Sequence, residues 1–508
     1  MNTTASSRWL GPAQLTSLGF LALILVGTAL LSLPFASADG TATPLMAAFF
    51  TATSATTLTG LVVVDTGSQY TLFGQLVVLV LIQAGGLGIM SIASLTGMLL
   101  TGRVKLHTRY STAAEGRPIF EGGVRRTLVA TLLLTMFFEA AVAVLLFARF
   151  TTVYGMSVPR AAWEGTFHAV SAFNNAGFGL RPDSLISYNA DGWILIPLAS
   201  ALMIGGLGYP VLSELVRRGR ERLRGWLRGT PVSSRRLSIT TRMTLKGTAV
   251  LVLTATLLIV ALEWRGFLAG MPVGAKWLNA FFSGVTPRTA GFNSIDYAGA
   301  HPITLMVTDI YMFIGGGSAG TAGGIKVTTA IVLLAAMAAE FRGCDDTTVG
   351  HRTVPKTVVR QAMTVAAVGV VSVTGGVAAL RLFDPQFTAG QVSFEVMSAF
   401  ATTGLSTGIT AGLSTPSQLV LCLLMYVGRI GPFTLVAALA LRTVSRRFDY
   451  PTERPFIGEL SPPLTLPAVQ HPTRGGDRSR PFRRRDRPRT HPLRRGGAWH
   501  RLRCVACA

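Results

Sequence analysis

Four short polar segments, each ending in glycine, recur along the chain at nearly even intervals. The glycines stand at positions 60, 177, 291 and 404, which are 117, 114 and 113 residues apart. Each follows a short stretch rich in Phe, Ala, Ser and Thr and precedes a longer, strongly apolar run. Even spacing of this kind indicates an internal repeat, in which one structural unit is written several times. The pattern predicts a helix, a short half-helix, a turn and a second helix, four times over.

The composition is typical of a chain that folds within a membrane. Hydrophobic residues make up 49% of the 508 positions and charged residues only 14%. The 55 glycines are scattered through apolar segments, where they allow close helix packing and non-helical backbone at membrane depth. Soluble domains are more highly charged. We therefore expect an all-α, multi-pass membrane protein.

The net charge of +23 follows the expected membrane topology. Twelve arginines against Asp477 and Asp486 give the segment after Leu460 a charge of +10, which leaves +13 for the rest. Most of that remainder lies in short loops between apolar runs, as the positive-inside rule requires. The pattern predicts eight spans with both termini cytoplasmic, a lipid bilayer around them and no nucleic acid as partner. Aspartates 39, 65, 183, 191 and 296 fall on the outer side.

The repeat divides the chain into four units and a tail. Repeat 1 is placed at residues 1–110, repeat 2 at 111–235, repeat 3 at 236–350 and repeat 4 at 351–460. Residues 461–508 form a Pro- and Arg-rich tail that is too polar to fold alone and is expected to be disordered and cytoplasmic. The expected spans are 15–33, 73–100, 127–147, 193–215, 248–262, 301–339, 361–380 and 417–441.

Each repeat also contains a stretch that is too short to cross the bilayer, since a span needs about 20 residues. These stretches are 43–56, 161–173, 276–286 and 392–401. We expect re-entrant half-helices there, because irregular backbone at membrane depth is tolerated only where protein or water shields it.

The four turns have the residue types that a cation filter needs. Backbone carbonyl oxygens replace the hydration shell of an ion without a full charge that would hold it too tightly. Glycine permits the unusual dihedral angles of such a turn, and the C-terminal end of each half-helix carries about half a negative charge. The candidate filter residues are Thr56, Thr57, Leu58, Thr59, Gly60, Asn174, Asn175, Ala176, Gly177, Arg288, Thr289, Ala290, Gly291, Ala401, Thr402, Thr403 and Gly404.

Longer stretches around these turns resemble the Trk/Ktr/HKT superfamily of potassium transporters. They are residues 53–61, 172–178, 286–293 and 398–405, together with Gln83-x-Gly85-Gly86-Leu87-Gly88 and Tyr426-x-Gly428-Arg429-Ile430-Gly431-Pro432. The resemblance runs from about Leu15 to Gly458, is closest to the membrane subunit of bacterial Ktr systems and does not cover the tail. It implies four M1–P–M2 repeats (helix, pore half-helix, helix) in a pseudo-fourfold arrangement around one pore, with eight transmembrane helices.

The same resemblance implies a function and partners. The implied function is potassium ion uptake across the bacterial inner membrane, with K⁺ bound by the filter residues and no covalently bound cofactor. Na⁺ is a second candidate ion, because uptake by bacterial Ktr is commonly sodium-stimulated. Each turn has one glycine where the potassium-channel sequence TVGYG has two, so we expect looser discrimination against sodium. The implied assembly is a homodimer, one pore per protomer, on a cytosolic ring of nucleotide-binding regulatory proteins.

A glycine-rich stretch interrupts the second span of repeat 3. Each glycine costs a helix about 1 kcal/mol relative to alanine, so this stretch is expected to unwind beside a cavity. The resemblance places it just below the filter as an intramembrane gate. A phosphate-binding loop is disfavoured. Its motif needs Gly before the lysine and Ser or Thr after it, whereas Lys326 is preceded by Ile325 and followed by Val327. The candidate gate residues are Gly315, Gly316, Gly317, Ser318, Ala319, Gly320, Thr321, Ala322, Gly323, Gly324, Lys326 and Arg429.

Three charged residues in or near the apolar runs need partners. Arg429 is expected near the middle of span 417–441, where its guanidinium should face carbonyl oxygens, a carboxylate or water. Our hypothesis is that it donates to the backbone of residues 315–324 and holds the gate closed; the alternative is a helix-end arginine. Arg288 is expected to brace the outer mouth or to have a structural role, and Glu139 is expected to be paired or to face another helix.

Other function classes remain open at this point. A sodium or non-selective cation permease would use the same fold. A secondary transporter with a midplane site would favour inverted pairs of broken spans, whereas the four units here run in the same direction. The spans contain no metal-binding cluster, nucleophile elbow or catalytic carboxylate pair, so the chain is not expected to be an enzyme.

Overall fold

The computed structural model describes residues 12–88, 123–229, 237–318, 320–350 and 352–431, and these residues are mainly helical. The first seven helices are α1 (Pro12–Leu31), α2 (Leu45–Thr57), α3 (Thr66–Gln69), α4 (Leu72–Leu87), α5 (Gly123–Thr152), α6 (Val158–Phe173) and α7 (Gly192–Leu207). The others are α8 (Tyr209–Arg228), α9 (Ile239–Glu263), α10 (Val273–Val285), α11 (Pro302–Phe313), α12 (Val327–Phe341), α13 (Lys356–Phe383), α14 (Ala389–Ala401) and α15 (Thr415–Ile430). Strands β1 (Thr348–Val349) and β2 (Arg352–Thr353) form an antiparallel pair.

Four short helices lie where the sequence predicts half-helices. They are α2, α6, α10 and α14, and they contain 13, 16, 13 and 13 residues. At 1.5 Å per residue they are about 20–24 Å long, which is shorter than the hydrocarbon thickness of a bilayer. Each packs against the longer helix that precedes it in the chain: α1 on α2, α5 on α6, α9 on α10 and α13 on α14.

Polar caps explain where several helices begin. The side chain of Thr71 accepts a hydrogen bond from the first turn of α4, and that of Asp191 does so for α7. Ser238 caps α9 in the same way, and Thr388 forms a capping box with Gln391 at the start of α14. These side chains satisfy backbone N–H groups that have no partner within the helix.

Length and composition identify three helices of the described chain as able to cross a membrane. They are Val129–Thr152 within α5, α9 and α13, and a bent pair formed by α7 and α8 meets the same test. Five other apolar helices of the described chain are shorter. The structure therefore supports a multi-pass helical protein, and the count of eight spans stays a prediction.

Three helices end at a glycine before the predicted end of their span. α7 ends at Leu207, so the predicted straight span to residue 215 is wrong. α4 ends at Leu87 and α15 at Ile430, and the rest of their predicted spans, at 89–100 and 432–441, lies outside the described residues. The next residue is in each case a glycine with positive φ: +72° at Gly88, +88° at Gly208 and +89° at Gly431. A residue in that conformation cannot continue a right-handed helix. After Gly208 the chain turns by 107° into α8, so the loop expected after residue 215 begins as helix.

The half-helices are the buried part of the molecule. All but a few residues of α2 and α14 are buried, including Phe50, Phe394 and Phe400. The longer helices instead expose large apolar side chains, such as Phe137 at 66% and Val371 at 71%. Exposed apolar surface on this scale is typical of helices that face lipid.

Candidate functional site

The four repeat glycines lie beside one another in a closed ring. A Cβ atom added to Gly60 would lie 3.0 Å from the Cα atom of Gly177, and one added to Gly177 would lie 2.7 Å from the Cα atom of Gly291. A Cβ atom added to Gly404 would lie 3.0 Å from the Cα atom of Gly60, and one added to Gly291 would lie 2.7 Å from the carbonyl oxygen of Thr403, which closes the ring. Segments more than a hundred residues apart in sequence therefore meet at one point, with backbone approaching too closely for any side chain at these positions.

The residue before each glycine places its carbonyl oxygen against the next segment of the ring. We measure from each oxygen to a Cβ atom added to the neighbouring glycine. The oxygen of Ala176 lies 2.5 Å from the Cβ of Gly60, and that of Ala290 lies 3.1 Å from the Cβ of Gly177. The oxygen of Thr403 lies 2.7 Å from the Cβ of Gly291, and that of Thr59 lies 2.0 Å from the Cβ of Gly404. The Thr59 oxygen also lies 3.3 Å from a Cβ added to Gly291, on the third segment. Four carbonyl oxygens from four parts of the chain thus converge.

The N–H groups of the same four residues point back into the half-helices. They donate to the carbonyl oxygens of Ser54 at 2.9 Å, Ser171 at 2.8 Å, Thr286 at 2.9 Å and Ser398 at 2.8 Å. In two segments the glycine N–H is held as well, by the Oγ of Ser54 at 3.0 Å and of Ser398 at 2.9 Å. A glycine N–H shares its peptide plane with the carbonyl group of the residue before it and points the opposite way. In these two segments the hydrogen bond behind the turn therefore holds the carbonyl oxygens of Thr59 and Thr403 on the ring side.

A left-handed residue precedes each ring glycine by two positions. The φ values are 59° at Leu58, 58° at Asn175, 71° at Thr289 and 51° at Thr402. This conformation is strained for branched side chains such as threonine and costs on the order of 1–3 kcal/mol per residue. A positive φ at the same position of all four segments accompanies the reversal of the chain at the end of each half-helix.

A cavity of about 460 Å³ opens on one side of the ring. We call it the outer cavity, because the sequence predicts that its aspartates lie on the outer side of the membrane. All four glycines line it, together with Asp65, Asp183, Asp296 and Arg181. Each aspartate also accepts a hydrogen bond from a nearby backbone N–H, of Ser68, Ser187 and Ala298 respectively. The carboxylates therefore have a local structural role, and they give the cavity a negative excess that attracts cations.

The glycine-rich stretch of repeat 3 lies against the ring segments as a non-helical loop between α11 and α12. Its backbone pairs with itself through Gly315 N to Ile325 O at 2.8 Å and with α7 through Gly317 N to Gly206 O at 2.8 Å. A Cβ added to Gly323 would lie 2.0 Å from the Oγ1 of Thr402, and one added to Gly315 would lie 3.4 Å from Thr289. Ala319 lies outside the described residues.

Two cationic side chains hold this loop. Arg429 donates to the carbonyl oxygen of Thr321 and, at 2.7 Å, to that of Gly85. Lys326 donates to the carbonyl oxygens of Ala322 and, at 3.3 Å, Gly323. The hydrogen bond from Arg429 to the loop is present as the sequence analysis suggested. Arg429 lies one residue before the end of α15 at Ile430, and the rest of its predicted span, 432–441, lies outside the described residues.

Arg288 does not lie at the outer mouth. It is 3% exposed, and its terminal Nη2 lies 3.7 Å from a Cβ added to Gly206, at the break between α7 and α8. It is absent from the residues that line the outer cavity. In the described part of the chain its Nε and Nη1 atoms have no hydrogen-bond partner. The expectation that it braces the mouth is wrong, because the turn points its long side chain away from the cavity.

A buried polar network supports the second filter segment. The amide nitrogen of Asn174 donates to Gln83 at 2.8 Å, to Glu139 at 2.9 Å and to the carbonyl oxygen of Val170 at 2.9 Å. Gln83 in turn donates to Glu139 at 3.4 Å. Glu139 is thus paired, as expected from its place within an apolar helix. The contribution of Gln83 was missed, because both of its partners lie in repeat 2, far from it in sequence.

A second set of glycines, to which no role was assigned from sequence, packs α4, α7 and α15 against the half-helices. A Cβ added to Gly85 would lie 2.1 Å from the carbonyl oxygen of Thr56. For Gly205 and Phe173, and for Gly428 and Phe400, the same distance is 1.8 Å. The recurrence of Gly-Gly-Leu-Gly at 85–88 and 205–208 is the signal that could have revealed this contact.

All seventeen candidate filter residues lie at or directly beneath this ring, and all are buried except half-buried Gly177. The arrangement offers oxygen dipoles without a full negative charge, at the C-terminal ends of four helices. Such a site stabilises a dehydrated monovalent cation and disfavours anions.

Comparison with known proteins identifies the family. Residues 14–447 match the family model for TrkH, described as a cation transport protein. The chain belongs to this family. The resemblance seen in the filter motifs is therefore confirmed, and this TrkH-family chain is a multi-pass membrane transporter and not an enzyme.

Individual relatives agree with this assignment. Ktr system potassium uptake protein B of Bacillus subtilis is 37% identical over 451 residues, which cover 88% of this chain and 97% of the relative. Potassium/sodium uptake protein NtpJ of Enterococcus hirae is 33% identical over 462 residues, with 88% and 98% coverage. The crystal structure of the potassium transporter TrkH from Vibrio parahaemolyticus has a similar fold, with a TM-score of 0.63, 20% identity and 87% coverage of both chains.

Proposed function

We propose that this chain takes up K⁺ through a pore that passes the glycine ring. The observation that carries the proposal is the convergence of the carbonyl oxygens of Thr59, Ala176, Ala290 and Thr403. An ion at their centre would exchange its water shell for peptide oxygens. The three aspartates of the outer cavity would raise the local concentration of cations before they enter.

The pore would be built from four M1–P–M2 units in pseudo-fourfold order. Supporting this arrangement, each half-helix packs on the helix before it, and the ring runs from the first segment through the second and third to the fourth and back to the first. The domain division at residues 110, 235, 350 and 460 follows from the same proposal. A static axial pore accounts for one shared ring better than rocking between inverted halves would.

The loop at residues 315–324 would act as the gate. It contacts the filter segments at Thr289 and Thr402, and Arg429 and Lys326 hold it there through its carbonyl oxygens. Two cations beside the loop would also repel K⁺ while the loop is in this position. Opening would require that these hydrogen bonds break and that the glycine-rich backbone move aside.

A Na⁺-conducting or sodium-stimulated protein is the second candidate. The relative named potassium/sodium uptake protein favours it. A filter in which each segment contributes one carbonyl oxygen to a single ring also favours it. Competition by Na⁺ against Rb⁺ uptake separates the candidates. A K⁺-selective pore predicts weak competition, and a non-selective pore predicts competition in proportion to concentration.

We further propose a homodimer in the bacterial inner membrane, with both termini cytoplasmic and a cytosolic ring of nucleotide-binding regulatory proteins as partner. The name of the Bacillus subtilis relative, protein B of a Ktr system, supports an assembly of several components. Co-purification of the chain with such a ring would test the assembly independently of ion selectivity.

The function itself is tested by Rb⁺ uptake into potassium-starved cells that lack their own K⁺ transporters. Expression of this chain should produce saturable uptake of Rb⁺ and restore growth on low K⁺. Expression at the membrane without Rb⁺, K⁺ or Na⁺ uptake, with the regulatory partner present, would contradict the proposal.

A further inference from the structure

A groove of about 780 Å³ lies between α5 and α8, away from the glycine ring. Its two walls differ in chemistry. The wall from α5 is apolar and includes Leu133 and Phe137, while the wall from α8 includes Arg217, Arg220 and Arg224. No role in the pore or the gate has been assigned to any of these residues.

The apolar wall belongs to a helix that is long enough to span a membrane. Residues 129–152 of α5 form the candidate span, and the groove lies near its first turns. Leu133 is 61% exposed and Phe137 is 66% exposed. Side chains of this kind on a spanning helix are expected to contact lipid acyl chains.

The basic wall is one face of an amphipathic helix. Arg217, Arg220 and Arg224 are three and four residues apart, which places them on the same side of α8. Glu221 also lines the groove, so the ionisable groups of its lining sum to +2. Elsewhere on α8, Trp226 is 79% exposed. α8 leaves α7 at 107°, which suits a helix that lies along a membrane surface.

We propose that this groove binds one anionic phospholipid of the cytoplasmic leaflet. The phosphate lies at Arg217, Arg220 and Arg224, and the acyl chains lie along Leu133 and Phe137. A soluble anion would satisfy the arginines but would leave the apolar wall uncovered. A zwitterionic lipid would cover the wall but lacks the net charge that the arginines attract. Each arginine near a headgroup should favour the anionic lipid about fivefold.

Lipid retention provides the test, and it does not depend on transport. The full chain is reconstituted in vesicles with equal amounts of phosphatidylglycerol and phosphatidylcholine, extracted, and analysed by native mass spectrometry. The wild type should retain phosphatidylglycerol preferentially, and Arg220→Gln should lower that preference about fivefold. The triple variant Arg217→Gln/Arg220→Gln/Arg224→Gln should abolish it.

A matched control has the same loss of charge on the same helix. The triple variant Arg218→Gln/Arg222→Gln/Arg228→Gln changes arginines of α8 that do not line the groove, and it should keep the wild-type preference. In Leu133→Asn/Phe137→Asn the retention should fall for both lipids. Equal loss of preference in both arginine triples, no preference in the wild type, or displacement of the lipid by millimolar glycerol phosphate would each overturn the proposal.

Discussion

The four turns of the ring are nearly identical, whereas the ends of the four helices that follow them, α4, α7, α11 and α15, differ from one another. Every filter turn has a left-handed residue, one intervening residue and a glycine with positive φ. The breaks below them diverge: single glycines end α4, α7 and α15, whereas a ten-residue loop follows α11 within one residue. Four equal oxygen positions need four equal turns. A gate needs only one repeat that differs from the others, and repeat 3 is the one with the ten-residue loop.

The largest effect is expected from a side chain in the ring. In Gly404→Ala the new Cβ would meet the carbonyl oxygen of Thr59 at 2.0 Å, so Rb⁺ uptake should fall to background. Gly408→Ala is the control: it has nearly the same φ, +87° against +89°, and nothing lies within 4 Å of its added Cβ. The control carries only the backbone strain of about 1–2 kcal/mol and should transport. Equal loss in both variants would contradict a tightly closed ring.

The next largest effect is expected at the glycine-rich loop of repeat 3. Arg429→Ala removes hydrogen bonds to the loop and to α4, each worth about 1.5–3 kcal/mol for a charged donor. Basal Rb⁺ uptake without the regulatory partner should rise about tenfold or more. Arg342→Ala, at the exposed end of α12, should leave uptake unchanged. Wild-type flux in Arg429→Ala would show that the loop does not limit conduction.

A smaller effect is expected behind the second filter turn. Glu139→Gln replaces one acceptor oxygen with an amide donor, which then faces the donors of Asn174 and Gln83. The free energy of unfolding should fall by about 1–3 kcal/mol, as measured by thermal unfolding in detergent. A cycle with Asn174→Ala should show coupling of about 0.5–3 kcal/mol. Strict additivity would contradict a shared network.

The smallest effect lies far from the ring, at the link between α13 and α15. Burial would raise the pKa of Asp384, but hydrogen bonds from Ser417 and Ser414 outweigh it and hold that pKa below its usual value. A lowered pKa adds stability above the unfolded value of about 3.9 that is lost as the pH falls through the folded value. Asp384→Asn should therefore lower the melting temperature slightly at pH 7, and the difference should shrink as the pH falls from the unfolded pKa through the folded one. A constant difference across that range would exclude this linkage.

The positions of the four turns were predictable from sequence because their signals are local. A polar turn ending in glycine marks the end of each half-helix, and the predicted half-helices end within one residue of α2, α6, α10 and α14. The break between α11 and α12 was predicted as well, since ten residues with six glycines and a serine cannot hold a helix.

The single-glycine breaks were not predictable in the same way. An apolar run continues past Gly208, and one glycine costs a helix only about 1 kcal/mol, so the local sequence permits a straight span. The break arises from tertiary contacts: Gly205 packs on Phe173 of the same repeat, and the carbonyl oxygen of Gly206 accepts a hydrogen bond from Gly317 in the loop of repeat 3. The position of Arg288 beneath the turn also depends on these contacts.

The central claim is that the four turns bind one monovalent cation between them. Anomalous X-ray scattering from crystals of the full chain grown in Rb⁺ locates that ion directly. We predict a peak within the ring, bounded by the carbonyl oxygens of Thr59, Ala176, Ala290 and Thr403. Ordered Rb⁺ at other positions only, with the ring resolved and empty of it, would contradict the account.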